Sequence, residues 1–552
     1  MKNLLLFIFI SVYGSSFSQN YKITYLKSSN RTLIENQDPV LVFTNEKLTR
    51  VISKSVDENK ATYPFEFFNL DRETNTIIQI AQLKEKKTIF SEDSVLLAKQ
   101  TFEILPDIKK ILGYTCKKAK TIVNSNTIEF WYTDELKVKG SPIVLGQNLG
   151  LVLEMVRNGN FVIAATKVEK IKAFPILHKL EVPEKLVDAL TYKDLLWKSR
   201  FTTINVFKDQ IINFSDQSKS NDSILRFANG TIAIRKIKIP EIKAGSQIFV
   251  DITEQSNGDA YDRTGSFFII PTNKIKSFLD GLQNGVKTLP IYNNGNGKEY
   301  QGVIATENYN PVVELMRFYT PFGVKQYNTL QLKNKTWADN VLYRQDVSDL
   351  RTLLSNQEVW IGINIGNYDN GGHKVSANIT IHDEEESKSN LTKIVPLFCT
   401  NNIMEMAGQE YGTMFSADKG LEVTFKLDKP IKNCKLRYIA TGHGGWENGD
   451  EFVPKKNTIF LDGKETFSFT PWRTDCGSYR LSNPASGNFP NGLSSSDYSR
   501  ANWCPGTTTN PIYIDIGNLG AGTHSIQIKI PQGLPEGTSF SSWNVSGVLI
   551  GE

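Results

Sequence analysis

The spacing of apolar and polar residues predicts strands along most of the chain. Apolar side chains recur at every second position or in short runs rich in β-branched residues, which is typical of strands. Such segments cover residues 121–123, 127–131, 231–234, 247–252, 375–381 and 525–530. Helical spacing is clearest at residues 273–282 and 346–354. No short repeat appears, so solenoids and propellers are disfavoured. The many strand segments predict a mainly β fold.

Length and charge divide this β-rich chain into parts. Its 552 residues exceed what one hydrophobic core usually holds. Charged sequence at residues 179–199, broken by Pro183, and a charged, serine-containing run at residues 383–389 separate differently patterned regions. The predicted domains, each of ordinary size, are residues 19–195, 200–385 and 390–552.

The first residues have the pattern of an export signal. A charged start at Met1–Asn3 precedes the apolar run Leu4–Ile10 and small polar residues up to Ser18. That run is far shorter than the roughly 20 residues that cross a bilayer. We expect residues 1–18 to be a signal peptide and the protein to be periplasmic or secreted, without a membrane anchor.

Charge and cysteine content narrow the class of protein further. The net charge of +5 comes from nearly balanced acids and bases, so nucleic acid is not an expected partner. Five cysteines in an exported chain leave at least one unpaired. Cys476 and Cys504, in a Gly/Pro/Ser/Asn-rich stretch, are the best candidates for a disulfide. Cys116, Cys399 and Cys434 have apolar or strand-like surroundings, which predicts buried small side chains.

Short motifs in a fixed order connect residues 200–552 to a known family. They are Asn205-Val206-Phe207-Lys208-Asp209, Asp259-Ala260-Tyr261-Asp262-Arg263, Arg317 to Phe322, Asp346 to Arg351, Thr441-Gly442-His443-Gly444, Glu451 and Arg500 to Gly506. In this order they resemble the peptide-N-glycosidase F family. The resemblance implies two antiparallel jelly-roll β-sandwiches packed side by side, with the active site at their interface. It also implies hydrolysis of the amide between an N-glycan and asparagine, in glycoproteins or glycopeptides, giving aspartate and a glycosylamine.

The N-terminal third lies outside that resemblance. Its segments 112–119, 130–133 and 146–154 are similar to the GLPGLI domains of exported Bacteroidetes proteins. We predict a separate, mainly β domain that either selects glycoproteins or stabilises the catalytic pair.

The resemblance assigns the catalytic work to two carboxylates. Asp262 corresponds to the residue that activates water, although the turn signal Asn257-Gly258-Asp259 also permits a purely structural role. Glu451 is expected to orient the substrate and handle a proton, and the adjacent Asp450 leaves the register open by one residue.

Further residues are expected to bind substrate. Arg263 and Arg500 either donate to carboxylate or carbonyl oxygens of the site or form ordinary surface ion pairs. Asp259, in the acidic element of Arg263, is also expected to bind substrate. Tyr261 and Trp503 have faces that suit a sugar, but core packing is the commoner fate of such aromatic residues.

Two polar positions carry more specific expectations. A third family carboxylate aligns near Asn364, where an amide binds a sugar or Asp262 without carrying a titratable proton. This departure from the family pattern puts the preference for glycan core types in question. His443 either orients a neighbouring site group or is a hydrogen-bonded structural histidine.

Two functions from other classes remain as alternatives. One is a glycan-binding protein without catalysis, against which the presence of both Asp262 and Glu451 argues. The other is a copper monooxygenase, which needs clustered ligands, whereas the five histidines are scattered and show no H-x-H spacing. We therefore predict a monomeric hydrolase that uses no cofactor or metal.

Overall fold

The computed structural model describes residues 19–84, 86–175, 185–324, 332–383, 393–444, 449–485, 494–534 and 541–552. The predicted signal peptide and most of the charged run at 383–389 lie outside the described residues. The chain divides into two compact units, Met1–Phe201 and Thr202–Glu552. The residues predicted as the second and third domains therefore belong to one compact unit.

The first unit is built on one long sheet with two short helices. Its strands are β1 (Asn20–Ser29), β2 (Thr32–Leu33), β3 (Val40–Thr44), β4 (Leu48–Ser53), β5 (Phe65–Asp71), β6 (Thr76–Gln82), β7 (Thr88–Asp93), β8 (Glu103–Ile111), β9 (Tyr114–Val123), β10 (Asn126–Thr133), β11 (Leu151–Arg157), β12 (Phe161–Ile171) and β13 (Lys185–Leu186). The helices are α1 (Lys54–Asp57) and α2 (Ala189–Lys198). The strand order is β13-β7-β6-β5-β4-β3-β1-β12-β11-β10-β9-β8, with β2 beside β1, and among these described strands only β13 and β7 pair in parallel.

Helix α2 lies in the charged stretch that suggested a domain boundary. The Asp188 carboxylate caps it by accepting the backbone N–H groups of Leu190 and Thr191. Tyr192 and Leu196 are buried in a small cluster with residues of β6 and β7. Only one narrow face of the helix is buried, and the apolar residues Leu190 and Trp197 are exposed, so the sequence shows no clean helical pattern there.

The second unit contains the other twenty strands of the described residues. They are β14 (Thr202–Ile212), β15 (Leu225–Phe227), β16 (Ile232–Lys238), β17 (Gln247–Ser256), β18 (Thr264–Ile270), β19 (Ile291–Tyr292), β20 (Tyr300–Gln301), β21 (Val313–Tyr319), β22 (Val341–Asp346), β23 (Glu358–Ile365), β24 (His373–His382), β25 (Lys393–Cys399), β26 (Leu421–Leu427), β27 (Ile431–His443), β28 (Asn457–Leu461), β29 (Lys464–Phe469), β30 (Thr508–Thr509), β31 (Ile512–Leu519), β32 (Gly522–Lys529) and β33 (Ser542–Gly551). Two short helices join them, α3 (Phe278–Asn284) and α4 (Arg351–Leu354).

Eighteen of these strands form two β-sandwiches, and β19 and β20 form a separate two-stranded sheet. The first sandwich packs the sheet β14-β24-β17-β22 on the sheet β15-β16-β23-β18-β21-β30, and the second packs β25-β33-β27-β31 on β26-β32-β28-β29. Strand β24 shows why the pattern is stable: Val375, Ala377, Ile379 and Ile381 alternate into the first core while the residues between them face outward. The prediction of a mainly β protein with paired sandwiches is confirmed.

The two sandwiches share elements at the seam between them. Strand β30, from the C-terminal part, pairs with β21 of the first sandwich, and Val548 and Ile550 of β33 lie in the first core. The predicted helix at 273–282 is reduced to α3, which begins after the capping residue Ser277. The other predicted helix is a single turn followed by α4.

Candidate active site

Asp262 lies on the loop that connects β17 to β18, at the seam. The Thr320 hydroxyl accepts the backbone N–H of Arg263 at 2.8 Å and donates to the Tyr261 carbonyl at 2.8 Å. The backbone N–H of Thr320 donates to the Arg263 carbonyl at 3.0 Å. The loop is thus fastened on both sides of Asp262 to the end of β21.

The guanidinium of Arg500 joins two carboxylates from different sandwiches. Its Nη1 atom lies 3.1 Å from Asp262 Oδ2 and also donates to Glu451 Oε1. The Arg500 side chain is fully buried, whereas the side chains of Asp262 and Glu451 are 19% and 18% exposed. Asp262, Glu451 and Arg500, three residues predicted for the site, therefore meet at one nitrogen atom.

The structure distinguishes Glu451 from its neighbour Asp450. Asp450 is fully buried in the second sandwich, where it accepts the Trp543 indole N–H at 2.7 Å and the Gly533 backbone N–H at 3.0 Å. The Glu451 carbonyl accepts the Ala501 N–H at 2.9 Å, which connects the backbone at Glu451 to the segment that carries Arg500. Of the two acids, only Glu451 faces Asp262.

The indole ring of Trp503 packs against the guanidinium of Arg500. The Arg500 guanidinium lies 4.3 Å from the ring centre of Trp503, and Tyr319 stacks on the same indole at 4.3 Å. Trp503 is 3% exposed, and its N–H donates to the Gly442 carbonyl. With Arg500 and Tyr319 against it, the indole packs within the protein rather than offering the open face expected for a sugar.

His443 is a neutral, hydrogen-bonded histidine beside this stack. Its Nε2 atom lies 2.9 Å from Thr441 Oγ1. Burial, reinforced by Arg317 and Arg500, lowers the pKa of His443 to about 3. A histidine that stays neutral at every working pH orients neighbours but does not exchange protons there.

Arg263 turns toward Asp259 rather than toward Asp262 and Glu451. Its Nε atom donates to Asp259 Oδ2 at 2.7 Å, and its guanidinium lies 4.9 Å from the Tyr261 ring centre. Asp259 is 2% exposed, whereas Tyr261 is 59% exposed. Asp259 and Arg263 thus form a support within the loop, and Tyr261 is the aromatic residue of the loop that is open to solvent.

Asn364 lies apart from the residues joined by Arg500. It is buried on β23, and its amide donates to the backbone carbonyls of Thr231 at 3.1 Å and Ile403 at 3.4 Å. The structure therefore does not bring Asn364 into contact with Asp262 or Glu451, and its predicted role in substrate binding stays a prediction.

The two carboxylates of the pair have raised pKa values. Burial raises the pKa of Asp262 more than Arg500 lowers it. Burial likewise raises the pKa of Glu451, against the effect of Arg500, and the nearby Asp262 carboxylate raises it further. One guanidinium does not offset two partly buried carboxylates, so the pair holds a proton at pH values where ordinary carboxyls are ionised.

The sequence did not single out several residues that build the site. Thr320 and Tyr319 lie within the matched motif 317–322, so the motif contained them without revealing their contacts. Glu254 and His373 are fully buried next to Asp259. Both lie in strands and outside the matched motifs, so nothing in the sequence marks them. Only the pairing of β17 with β24 brings these two together.

The predicted disulfide is confirmed. Cys476 and Cys504 are bonded across 28 residues, directly next to Trp503 in the chain. Cys116, Cys399 and Cys434 are free and buried, as their apolar surroundings predicted. The disulfide therefore closes the segment that carries Arg500.

The part of the chain that the structure describes holds neither a metal-ligand cluster nor a membrane-spanning helix. No cluster of three or more His, Cys, Asp or Glu side chains there has the geometry to hold a metal ion. No described helix is both long and apolar enough to span a membrane.

Comparisons with known families cover almost the whole chain. A family profile for "Peptide-N-glycosidase F, N terminal" matches residues 203–381, and one for "Peptide-N-glycosidase F, C terminal" matches residues 410–550. Residues 23–194 match the profile "N-glycanase peptide, N-terminal domain". The similarity of this part to GLPGLI domains stays a prediction.

Two solved structures are similar over the full length. "Structure of PNGF-II in C2 space group" is 56% identical, with a TM-score of 0.89, and the alignment covers 97% of this chain and 98% of that chain. "Structure of PNGF-II in P21 space group" gives the same identity and TM-score and covers 97% and 99%. No curated protein matches the chain.

A glycosylasparaginase from Flavobacterium meningosepticum, PNGase F, is 18% identical over 64% of this chain and 96% of its own, with a TM-score of 0.42. The full-length match at 56% identity and the three family profiles agree. The chain belongs to the peptide-N-glycosidase F family.

Proposed function

We propose that this protein hydrolyses the amide bond between the proximal GlcNAc of an N-glycan and asparagine, with Asp262 and Glu451 as the catalytic pair. The observation that supports this proposal most strongly is that these two carboxylates, from different sandwiches, bind the same buried guanidinium of Arg500. Family membership supports the amidase class, and the geometry supports the roles of the residues.

The raised pKa values suit each of the two carboxyl groups to a different proton transfer. Burial, together with the negative charge of Asp262, raises the pKa of Glu451 to about 7, so we assign the shared proton to Glu451 and the negative charge to Asp262. Asp262 then removes a proton from a water molecule as its oxygen attacks the amide carbon. Glu451 gives its proton to the departing nitrogen when the carbon–nitrogen bond breaks. The products are aspartate and a glycosylamine, which later loses ammonia.

Arg500 keeps the pair in register for these steps. It is buried, stacked on Trp503, and also donates through Nη2 to the Ser495 carbonyl at 2.5 Å. A guanidinium held on several sides loses little freedom when a substrate binds, so both carboxylates are already in position. Removing Arg500 would leave two partly buried carboxylates without a cation.

The substrates are N-glycosylated proteins and glycopeptides, and Tyr261 is a candidate contact for the sugar. Its ring is 59% exposed, and the Arg263 guanidinium beside it fixes its position. Aromatic faces bury the apolar C–H surface of a sugar while its hydroxyls stay hydrated.

Location and assembly belong to the same proposal. The n-region, apolar run and small polar residues at 1–18 support export to the periplasm or medium. The Cys476–Cys504 disulfide suits an oxidising compartment. We propose a monomer that acts on glycoproteins outside the cytoplasm.

Mass spectrometry of a glycopeptide incubated in water enriched in heavy oxygen tests the reaction. Conversion of the glycosylated asparagine to aspartate carrying one heavy oxygen is the expected result. An intact glycopeptide would favour a binding protein, and a product that retains a sugar on asparagine would mean a glycosidase. Either of these would overturn the proposal.

A further inference from the structure

Four buried or half-buried charged groups form a row behind the loop of Asp262. Glu254 Oε1 lies 2.8 Å from His373 Nδ1, and His373 Nε2 lies 3.4 Å from Asp259 Oδ2. Asp259 in turn accepts the Nε–H of Arg263 at 2.7 Å. Glu254 and His373 are fully buried, and Asp259 is nearly so. The row thus alternates carboxylate, imidazole, carboxylate and guanidinium.

The Asp259 carboxylate is the point where this row holds the catalytic loop. Besides Arg263, it accepts the backbone N–H of Tyr261 at 3.1 Å, one residue before Asp262. The loop also meets the start of β24, because the Asn257 N–H donates to the Gly372 carbonyl at 2.8 Å. A shift of Asp259 would therefore move both neighbours of Asp262 in the chain, Tyr261 and Arg263.

The charges of the row balance only when His373 is protonated. Burial by itself lowers the pKa of His373, but Asp259 and Glu254 outweigh burial and raise this pKa to about 9. Burial also raises the pKa of Asp259, yet His373 and Arg263 lower it to about 2. A neutral His373 would leave Glu254 and Asp259 as two buried acids with only Arg263 as a cation.

We infer that His373, held between two buried carboxylates, is a positioning residue that fixes the loop carrying Asp262 in its reactive geometry. The inference rests on the proposed function, since it names a support for the same carboxylate. His373 touches neither Asp262 nor Glu451 among the contacts described, and it acts through Asp259.

Other titratable groups face the row from the elements packed on it. The Tyr343 hydroxyl on β22 lies 3.5 Å from Glu254 Oε2 and donates to the Tyr319 carbonyl at 2.8 Å. Burial raises the pKa of Tyr343 well above its ordinary value, so it stays neutral. Asp369 is occupied by the backbone N–H groups of Gly371 and Gly372. His373 is therefore the group of the row that changes charge near pH 9.

The variant Glu254→Gln tests this role with little change in shape. It removes one of the two negative charges on His373, which lowers the pKa of the imidazole by about one to three units. We expect the ratio of variant to wild-type kcat to fall about tenfold as the pH rises from about 6 to 9, with KM nearly unchanged. Dividing by the wild-type kcat removes the pH dependence of the catalytic pair itself. The control His524→Gln, at a half-buried histidine paired with Asp462, should give a flat ratio.

Proton-detected NMR of the imidazoles supplies a second measurement that needs no activity. In the wild type, the resonance of His373 should titrate near pH 9, and Glu254→Gln should move it to lower pH. A lowered imidazole pKa with a kcat ratio that does not vary with pH would overturn the inference. If Glu254→Gln does not fold, the wild type decides: a buried imidazole that titrates in the ordinary histidine range overturns the inference, and one that titrates near pH 9 supports it. A wild type that releases no glycan would instead reject the proposed function.

Discussion

Two buried arginines at the seam hold carboxylates in opposite ways. Arg317 binds Glu314 through Nε at 3.1 Å and Nη2 at 2.7 Å, and both side chains are fully buried. Arg500 binds two carboxylates through one nitrogen, and both of these carboxylates keep some contact with solvent. The first pair is balanced in charge, whereas the second group would carry one excess negative charge if both of its carboxyls were ionised.

Hydrogen-bond donors around Glu314 increase the difference between the two groups. Glu314 also accepts hydrogen bonds from Ser266, Asn401 and Ser546, at 2.7 to 3.0 Å. Burial would raise the pKa of Glu314, but Arg317 and these donors outweigh burial and lower it. The pKa values of Asp262 and Glu451 move upward instead. A satisfied ion pair fixes the two sandwiches to each other, whereas the unbalanced group keeps a proton for chemistry.

The largest expected effect is on activity. Asp262→Asn removes the base but keeps the size of the side chain, so kcat should fall by about 10²- to 10⁴-fold. Release of glycan from a glycopeptide measures the loss, and circular dichroism checks the fold. The matched substitution Asp462→Asn, in the hairpin between β28 and β29, should leave kcat unchanged. Full activity in Asp262→Asn would remove this residue from the mechanism.

The next effect is on stability at the balanced pair. Glu314→Gln leaves Arg317 as a fully buried cation without its counter-ion, which should lower the free energy of unfolding by about 3–5 kcal/mol. Denaturant unfolding measures this change. The folded fraction should retain the wild-type kcat, and a stability equal to that of the wild type would contradict the comparison.

A smaller effect on activity is expected at the shared guanidinium. Arg500→Lys keeps the positive charge but not the planar fork stacked on Trp503, so kcat should fall about 10- to 100-fold. The surface pair Arg344–Asp251 offers the control Arg344→Lys, which should have no effect on kcat. Equal kcat values for the two variants would show that charge alone suffices at position 500.

The smallest effect is a gain in stability at the unbalanced group. The pKa of Glu451 is higher in the folded than in the unfolded chain, so ionising it costs stability as the pH rises above the ordinary carboxyl range. Glu451→Gln should therefore stabilise the protein by about 1 kcal/mol at pH 8 and have no such effect near pH 4. Thermal unfolding at both pH values measures the difference. A loss of stability at pH 8 would mean that the pair is balanced after all.

The fold class and three of the site's main residues could be predicted from the sequence. The alternation in β24 and the ordered motifs around Asp262, Glu451 and Arg500 are local signals, and local signals can be read from one sequence. The disulfide followed for the same reason, because its two cysteines flank a single loop-rich segment.

The remaining features depend on contacts between distant residues. The pairing of β30 with β21, and the burial of Val548 in the first core, join parts of the chain that the predicted boundaries had separated. The Trp503 ring is covered by Arg500 and Tyr319, so an aromatic residue that suited a sugar packs inside the protein. His373 was one of five scattered histidines until the pairing of β17 with β24 placed it opposite Ser256, two residues from Glu254 and in contact with it.

The pH dependence of kcat in the wild type and in Glu451→Gln tests the catalytic pair most directly. The wild type should lose activity at acid pH, when Asp262 is protonated, and again at higher pH, when Glu451 loses the shared proton. Glu451→Gln should be slower, and the decline that the wild type shows between about pH 6 and 8 should disappear. Two profiles of the same shape would contradict the account, because the proton would then come from a group other than Glu451.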